Sequence, residues 1–108
     1  RGLAPGEHMR GKLVTIAAVP GVDILMIGCN DLSMELGIAG QIDHAEMRAA
    51  RAAVVAACRA HGKVPGLGGI ADATLLRACM ADGFHFVLAS NDTDLVLDAG
   101  LARVSALR

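Results

Sequence analysis

The chain has 108 residues, of which 54% are hydrophobic and 19% are charged. This apolar content is enough for a folded core and excludes an intrinsically disordered tail. Ten basic residues against eleven acidic ones give a formal net charge of −1. We therefore expect no nucleic-acid partner, because proteins that bind nucleic acid carry a surplus of basic residues. No apolar run approaches the roughly 18 residues of a membrane span, and we expect no membrane partner.

The three cysteines, Cys29, Cys58 and Cys79, are odd in number and widely spaced. This pattern predicts buried, reduced thiols rather than a disulfide framework or a zinc site, and it favours a cytoplasmic protein. The amino end, Arg1–Gly11, carries charges, glycine and proline instead of the apolar stretch of a signal peptide, so we expect no export. The first residue is Arg rather than Met, which is compatible with a piece of a longer protein.

The first part of the chain is predicted to form two helices with a strand between them. Met9–Val19 is expected to be helical, and Val22–Gly28 is a nearly continuous apolar run that predicts a strand buried on both faces. The next helix runs from about His44 to His61. Asp43 and Glu46 have the spacing of a capping box at its start, and Gly62 suits its end. Its apolar stripe contains Met47, Ala50, Val54 and Ala57, whereas Arg48, Arg51 and Arg59 are expected on other faces.

The rest of the chain repeats the same alternation. Lys63–Leu67 predicts a second strand and Phe84–Ala89 a third. Between them, Asp72 is expected to cap a helix that ends at Gly83. Caps for a last helix, which contains Leu95, Leu101 and Val104, are offered by Ser90, Asn91 and Asp92.

The resulting order, α-β-α-β-α-β-α, predicts an α/β fold with parallel strands joined by right-handed crossovers. No linker interrupts it, so residues 1–108 form one domain or part of one. Two architectures fit this order. One is a small doubly wound sheet, and the other is a section of a (β/α)₈ barrel, which needs about 250 residues in full.

The sharpest candidate for chemistry is Asp31. Functional groups of parallel α/β proteins gather at the carboxyl ends of strands, and the first strand is followed by Gly28-Cys29-Asn30-Asp31-Leu32-Ser33. A carboxylate there suits a hard cation such as Mg²⁺ or Mn²⁺. The alternative is that Asp31 only caps the short helical turn that begins at Leu32.

Other polar groups also have structural alternatives. The Gly66–Gly69 run offers either backbone amides for a phosphate or a strand-to-helix turn. Asn91, Asp92 and Asp94 could act as ligands, but their position at the start of the last helix is typical of caps that complement the helix dipole. The histidines are dispersed, and no Ser/His/Asp or Cys/His constellation can be assembled from His8, His44, His61 and His85.

One extended motif resembles a known family. Val19–Ser33 (VPGVDILMIGCNDLS), followed by Leu36-Gly37, is similar to the signature of the HpcH/HpaI aldolase (citrate lyase) family, in which PGVD and an apolar strand precede IGPNDLS and LG. Later pairs agree in order and spacing, namely Gly40-Gln41, Asp43-His44, Gly62-Lys63 and Gly83-Phe84. The resemblance implies that residues 1–108 form a single partial domain, the last three to four β/α units of a (β/α)₈ TIM barrel.

The resemblance also implies an activity and a site. The family's class II pyruvate aldolases are carbon–carbon lyases that reversibly cleave a hydroxy-oxo acid to pyruvate, or an analogue, and an aldehyde, and they assemble into homo-oligomers. By resemblance, Asp31 would be one of two acidic ligands of Mg²⁺, Mn²⁺ or Co²⁺. The backbone around Gly28, Cys29 and Asn30 would hold the substrate carboxylate, while the cation stabilises the charge that develops as the carbon–carbon bond breaks.

Several features depart from the family pattern. Cys29 stands where the family usually has proline, and Ala45 stands where proline commonly follows histidine. The family's second acidic ligand, its substrate-binding arginine and its catalytic histidine belong to earlier strands. We therefore expect no catalytic residue within this chain, no activity of the chain alone, and self-association through uncovered edges. The alternatives are a coenzyme-A-ester lyase of the citryl or malyl type, a non-catalytic α/β binding or assembly module, and a small phosphate-binding domain.

Overall fold

The computed structural model describes residues 12–108. Strands and helices alternate along them, as the sequence predicts. In chain order the elements are a helical segment α1 over residues 12–17, β1 (Ile24–Gly28), α2 (Cys29–Glu35), α3 (Ala45–His61), β2 (Val64–Gly68), α4 (Ala73–Asp82), β3 (Phe86–Val87) and α5 (Asp92–Ala106). The first part of the helix predicted over Met9–Val19 lies outside the described residues. Between residues 12 and 108, no helix has the length and apolar content needed to cross a bilayer.

The three strands form one parallel sheet in the order β1-β2-β3. Gly28 pairs with Gly68, so the carboxyl ends of β1 and β2 lie at one level. β3 is shorter than the predicted Phe84–Ala89, but the Leu88 N–H donates to the Leu67 carbonyl oxygen at 3.0 Å and continues the pairing beyond it. The sheet edge therefore brings together the segments that follow β1, β2 and β3.

The prediction that β1 is buried on both faces is wrong. Leu25 and Ile27 are buried, whereas Ile24 and Met26 on the other face are 38% and 44% exposed. The cause is one-sided coverage, because the contacts of α2 and α3 place helices against one face of the sheet. The core on that face contains Met47, Val54, Cys58, Leu67 and Phe84, all buried.

Helix α3 begins differently from the prediction. Its N-cap is His44, whose Nδ1 accepts the Glu46 backbone N–H at 3.1 Å, so the proposed capping box of Asp43 and Glu46 is wrong. Asp43 instead accepts a hydrogen bond from Arg51, which was expected on an outer face and is in fact only 6% exposed. The Arg51 guanidinium also donates to the Ile42 carbonyl oxygen at 2.7 Å, which explains why a charged side chain tolerates burial.

Most of the other helix ends agree with the sequence. Gly62 ends α3 in the left-handed conformation at φ 66°, which a Cβ would disfavour. The Asp72 carboxylate accepts the backbone N–H groups of Thr74 and Leu75 and caps α4, and Gly83 ends that helix. Asn91 caps α5 by accepting the Asp94 N–H at 2.8 Å. The predicted caps Asp72 and Asn91 are therefore confirmed.

Helix α5 stands apart from the core. It has no buried residue, although it carries five large apolar side chains that are at least half exposed, namely Leu95, Val96, Leu97, Leu101 and Val104. The radius of gyration of 16.3 Å exceeds the roughly 13 Å of a compact chain of about 100 residues. An apolar helix surface of this kind lacks a partner within residues 12–108.

Candidate active site at the carboxyl edge of the sheet

A cavity of about 380 Å³ opens at the carboxyl edge of the sheet. The end of β1 contributes Met26 and the segment Gly28–Asp31, the end of β2 contributes Gly68 and Gly69, and Leu88 follows β3. The residues expected to bind metal and substrate, Gly28, Cys29, Asn30 and Asp31, thus border one cavity. Their roles as ligands stay predictions.

Asp31 lies in the first turn of α2, three residues after the last position of β1. A Cβ built on Gly28 would be only 3.2 Å from Asp31 Oδ2, so the absence of a side chain at Gly28 leaves room for the carboxylate. The side chain is exposed. Within residues 12–108 it makes no hydrogen bond or ion pair, so the alternative of a local cap is not realised. A carboxylate is thus free to bind a ligand at the cavity.

Asn30 and Cys29 are placed differently from each other. The Asn30 side chain lies against the backbone of Gly69, where its Nδ2 is 3.1 Å from the position a Cβ would take. Cys29 borders the cavity but is wholly buried among core residues. Burial raises the pKa of its thiol, and the positive charge of Arg51 opposes that shift. A neutral, buried thiol does not suit nucleophilic chemistry, so any contribution of Cys29 to binding would come from its backbone.

Ser33 fixes the segment that carries these residues, a role that motif reasoning missed. It is wholly buried, its hydroxyl donates to the Asn30 carbonyl oxygen at 2.8 Å, and its oxygen accepts the Gly40 N–H at 3.3 Å. These bonds tie the first turn of α2 to the loop that follows the helix. The sequence offers only a weak signal for this role, a small hydroxyl residue one turn into a helix.

Comparison with known proteins identifies the chain. The family described as HpcH/HpaI aldolase/citrate lyase matches residues 11–99, which include β1, the Asp31 turn and β2. The chain belongs to the HpcH/HpaI aldolase/citrate lyase family. The fold agrees, since a member of this family from Burkholderia cenocepacia has 31% sequence identity and a TM-score of 0.84 over 92% of this chain and 38% of that one. The sheet is therefore a partial section of a (β/α)₈ barrel, which decides against the doubly wound alternative.

Curated relatives in the family are named as aldolases. A 4-hydroxy-4-methyl-2-oxoglutarate aldolase of Hapsidospora irregularis is 43% identical over 83 residues, covering 75% of this chain and 31% of the relative. A 4-hydroxy-2-oxo-heptane-1,7-dioate aldolase of Salmonella paratyphi B is 37% identical over 85 residues, covering 79% of this chain and 32% of the relative. The chain thus spans about a third of the length of the curated relatives it matches.

The described residues of this family member fit a divalent cation in part. The exposed Asp31 carboxylate is a hard oxygen donor of the type that Mg²⁺ and Mn²⁺ prefer. Yet no group of three or more His, Cys, Asp and Glu side chains between residues 12 and 108 converges as a metal site. Between residues 12 and 108, this edge of the sheet therefore offers one candidate carboxylate and no complete coordination sphere.

The other polar candidates lie elsewhere. His44 caps α3, while His61 and His85 are exposed, and none of the three borders the cavity. His8 lies outside the described residues. The phosphate cradle suggested for the glycine run is wrong, because Gly66 and Gly68 belong to β2 and α4 begins only at Ala73.

A larger cavity, of about 610 Å³, lies between α3 and α4 and is not the candidate site. Its lining includes Arg51, Cys79, Asp82 and Phe84, none of which was expected to bind metal or substrate. Barrel enzymes place their chemistry at the carboxyl ends of strands, whereas this cavity is lined mostly by residues of α3 and α4. Position relative to the sheet therefore favours the smaller cavity.

Proposed function

We propose that this chain forms the Asp31 edge of a divalent-metal-dependent aldolase. The enzyme would reversibly cleave a hydroxy-oxo acid into pyruvate, or a close analogue, and an aldehyde. The observation that carries the proposal is the exposed Asp31 carboxylate, unbonded within the described residues, at a cavity on the carboxyl edge of the sheet. The aldolase names of the relatives support the reaction class.

The cavity residues Gly28–Asp31 have assigned tasks in this proposal. Asp31 would hold Mg²⁺, Mn²⁺ or Co²⁺ as one of its acidic ligands. The backbone around Gly28, Cys29 and Asn30 would receive the substrate carboxylate. When bound, the cation supplies positive charge that stabilises the electron pair released as the carbon–carbon bond breaks. Ser33 keeps the turn in place, so that the carboxylate needs little rearrangement to act.

The test uses a complete barrel that contains residues 12–108, for example a chimera with the remaining strands of a relative. Asp31→Asn should lower the affinity for Mn²⁺ at least about tenfold and abolish pyruvate release. Asp23→Asn is the matched control, because Asp23 precedes the same strand at its opposite end. Titration calorimetry measures the affinity, and a pyruvate assay measures turnover.

Two results would contradict the proposal. One is an Asp31→Asn barrel that binds Mn²⁺ and releases pyruvate like its parent, a result that would favour a binding or assembly module. The other is cleavage of a coenzyme-A thioester in preference to a free hydroxy-oxo acid, a result that would favour a citryl- or malyl-type lyase. Both substrates should therefore be assayed side by side.

We further propose that the protein is a cytoplasmic homo-oligomer. Three buried free thiols agree with a reducing compartment, and the uncovered apolar side chains of α5 favour association. Sedimentation of the chain over a concentration series should show association. Leu101→Lys should weaken it more than Ser105→Lys, which adds the same charge at another exposed position of α5. A clean monomer at all concentrations would contradict this.

A further inference from the structure

The Leu88 side chain packs against Gly68 at the edge of the candidate site. The Leu88 N–H donates to the Leu67 carbonyl oxygen at 3.0 Å, which places this residue beside Gly68 on β2. A Cβ built on Gly68 would lie 3.0 Å from Leu88 Cδ1 and 3.4 Å from its Cβ and Cγ. The leucine side chain therefore occupies the space that a side chain on β2 would need.

The same leucine borders the cavity that contains Asp31. Within this section of the barrel, Leu88 is 53% exposed although it is apolar, and Met26 on β1 also borders the cavity and is 44% exposed. One part of the cavity thus offers a carboxylate and backbone, whereas another offers hydrocarbon. Such a division suits a ligand with a polar head and an alkyl portion, because each part meets a surface of its own kind.

We propose that Leu88, held over Gly68, is a specificity-determining residue that receives the alkyl portion of a 2-oxo acid and limits its size. This inference rests on the proposed function, since it takes the Asp31 cavity to be the substrate site. The Gly68–Leu88 contact makes the proposal specific. Removing side-chain atoms from Leu88 enlarges the cavity, whereas adding a Cβ to Gly68 pushes Leu88 into it.

The experiment measures the affinity of the complete barrel, with Mn²⁺ present, for pyruvate, 2-oxobutanoate and 2-oxopentanoate. Titration calorimetry or ligand-observed NMR gives each dissociation constant without requiring turnover. Leu88→Ala should shift the ratio of affinities toward the longest acid by about tenfold or more, the usual effect of a methylene group in a fitted pocket. Gly68→Ala should shift the ratio toward pyruvate.

Three further variants keep the result interpretable. Leu97→Ala, a half-exposed leucine on α5 that does not border the cavity, is the matched control and should leave the ratio unchanged. Leu88→Val reports the same trend with a smaller change in volume, in case Leu88→Ala fails to fold. In the double variant, the effect of Gly68→Ala should shrink in the Leu88→Ala background, because Leu88 Cδ1, which would lie 3.0 Å from the new Cβ, is gone.

The outcomes separate this proposal from the proposed function. If the parent binds the acids but neither Leu88 variant moves the ratio, the role of Leu88 is overturned while the aldolase assignment stands. If the parent binds none of the acids and Asp31→Asn leaves Mn²⁺ affinity unchanged, both are overturned. Opposite shifts for Leu88→Ala and Gly68→Ala support the proposal.

Discussion

The Ser33 hydroxyl donates a hydrogen bond to the Asn30 carbonyl oxygen, 2.8 Å away. The same oxygen accepts the Gly40 N–H at 3.3 Å, so one buried side chain joins two segments on either side of α2. Asp31 sits between the two bonded residues in sequence. The position of the candidate metal ligand therefore depends on a serine that does not itself border the cavity.

Ser33→Ala should lower the free energy of unfolding by about 1 kcal/mol, because two hydrogen bonds are lost at a site without direct access to water. Urea unfolding followed by far-ultraviolet circular dichroism, at one protein concentration, measures the change. Ser90→Ala is the control, since Ser90 is exposed and no side-chain hydrogen bond is formed by it in the described part of the chain. Equal losses for the two variants would contradict the role of Ser33.

Arg51→Met should lower the free energy of unfolding by about 2 kcal/mol, because the buried guanidinium donates to the Ile42 carbonyl oxygen and to Asp43. Methionine keeps the apolar stem and removes only the hydrogen-bonding head. Arg48→Met is the matched control. Arg48 meets the same Asp43 at 3.5 Å but its side chain is 61% exposed, so its loss should cost less than about 1 kcal/mol. The urea midpoints of the two variants show whether burial causes the difference between their losses of unfolding free energy.

The elements that the sequence predicts best are those whose cause is local. Asp72 and Asn91 begin helices and Gly62 ends one, through bonds and backbone angles within a few residues, and all three are found where expected. The prediction for Arg51 is wrong because its burial depends on a contact outside its own helix, the hydrogen bond from its guanidinium to the Ile42 carbonyl oxygen. The cap of α3 is local as well, but His44 rather than Asp43 accepts the Glu46 N–H.

The candidate site also combines features that the sequence predicts with features that it does not. Asp31 could be placed at a sheet edge from the strand pattern alone, because every parallel strand ends there. The contact of Leu88 with Gly68 could not be predicted, because it depends on the register between β2 and β3. The exposed face of β1 was missed because periodicity does not reveal how many faces of a strand are covered.

The buried thiols should make stability depend on alkaline pH. Burial raises the pKa of Cys58, and a backbone hydrogen bond with Leu25 opposes that shift. Burial also raises the pKa of Cys29 and Cys79. Above about pH 8.5 the unfolded thiols lose their protons while the folded ones keep them, so the folded state becomes less favoured as pH rises.

Urea midpoints measured from pH 7 to pH 10 should therefore be level at first and then fall. Cys58→Ala should reduce the slope at the alkaline end, since one titrating thiol is removed from the unfolded state. Alkylation by iodoacetamide gives an independent check, because the native thiols should react far more slowly than those in urea. A midpoint that rises toward pH 10, or native thiols that react at the unfolded rate, would contradict the burial of these groups.

Gly62→Ala and Gly100→Ala should change stability in opposite directions. Gly62 ends α3 at φ 66°, where a Cβ is strained, so alanine should lower the free energy of unfolding by about 1 kcal/mol. Gly100 lies inside α5 with nothing within 4 Å of a new Cβ, so alanine should favour the helix by about 0.5–1 kcal/mol. Urea midpoints report the first change, and helical circular dichroism reports the second. A Gly62→Ala variant at least as stable as its parent would contradict the left-handed end of α3.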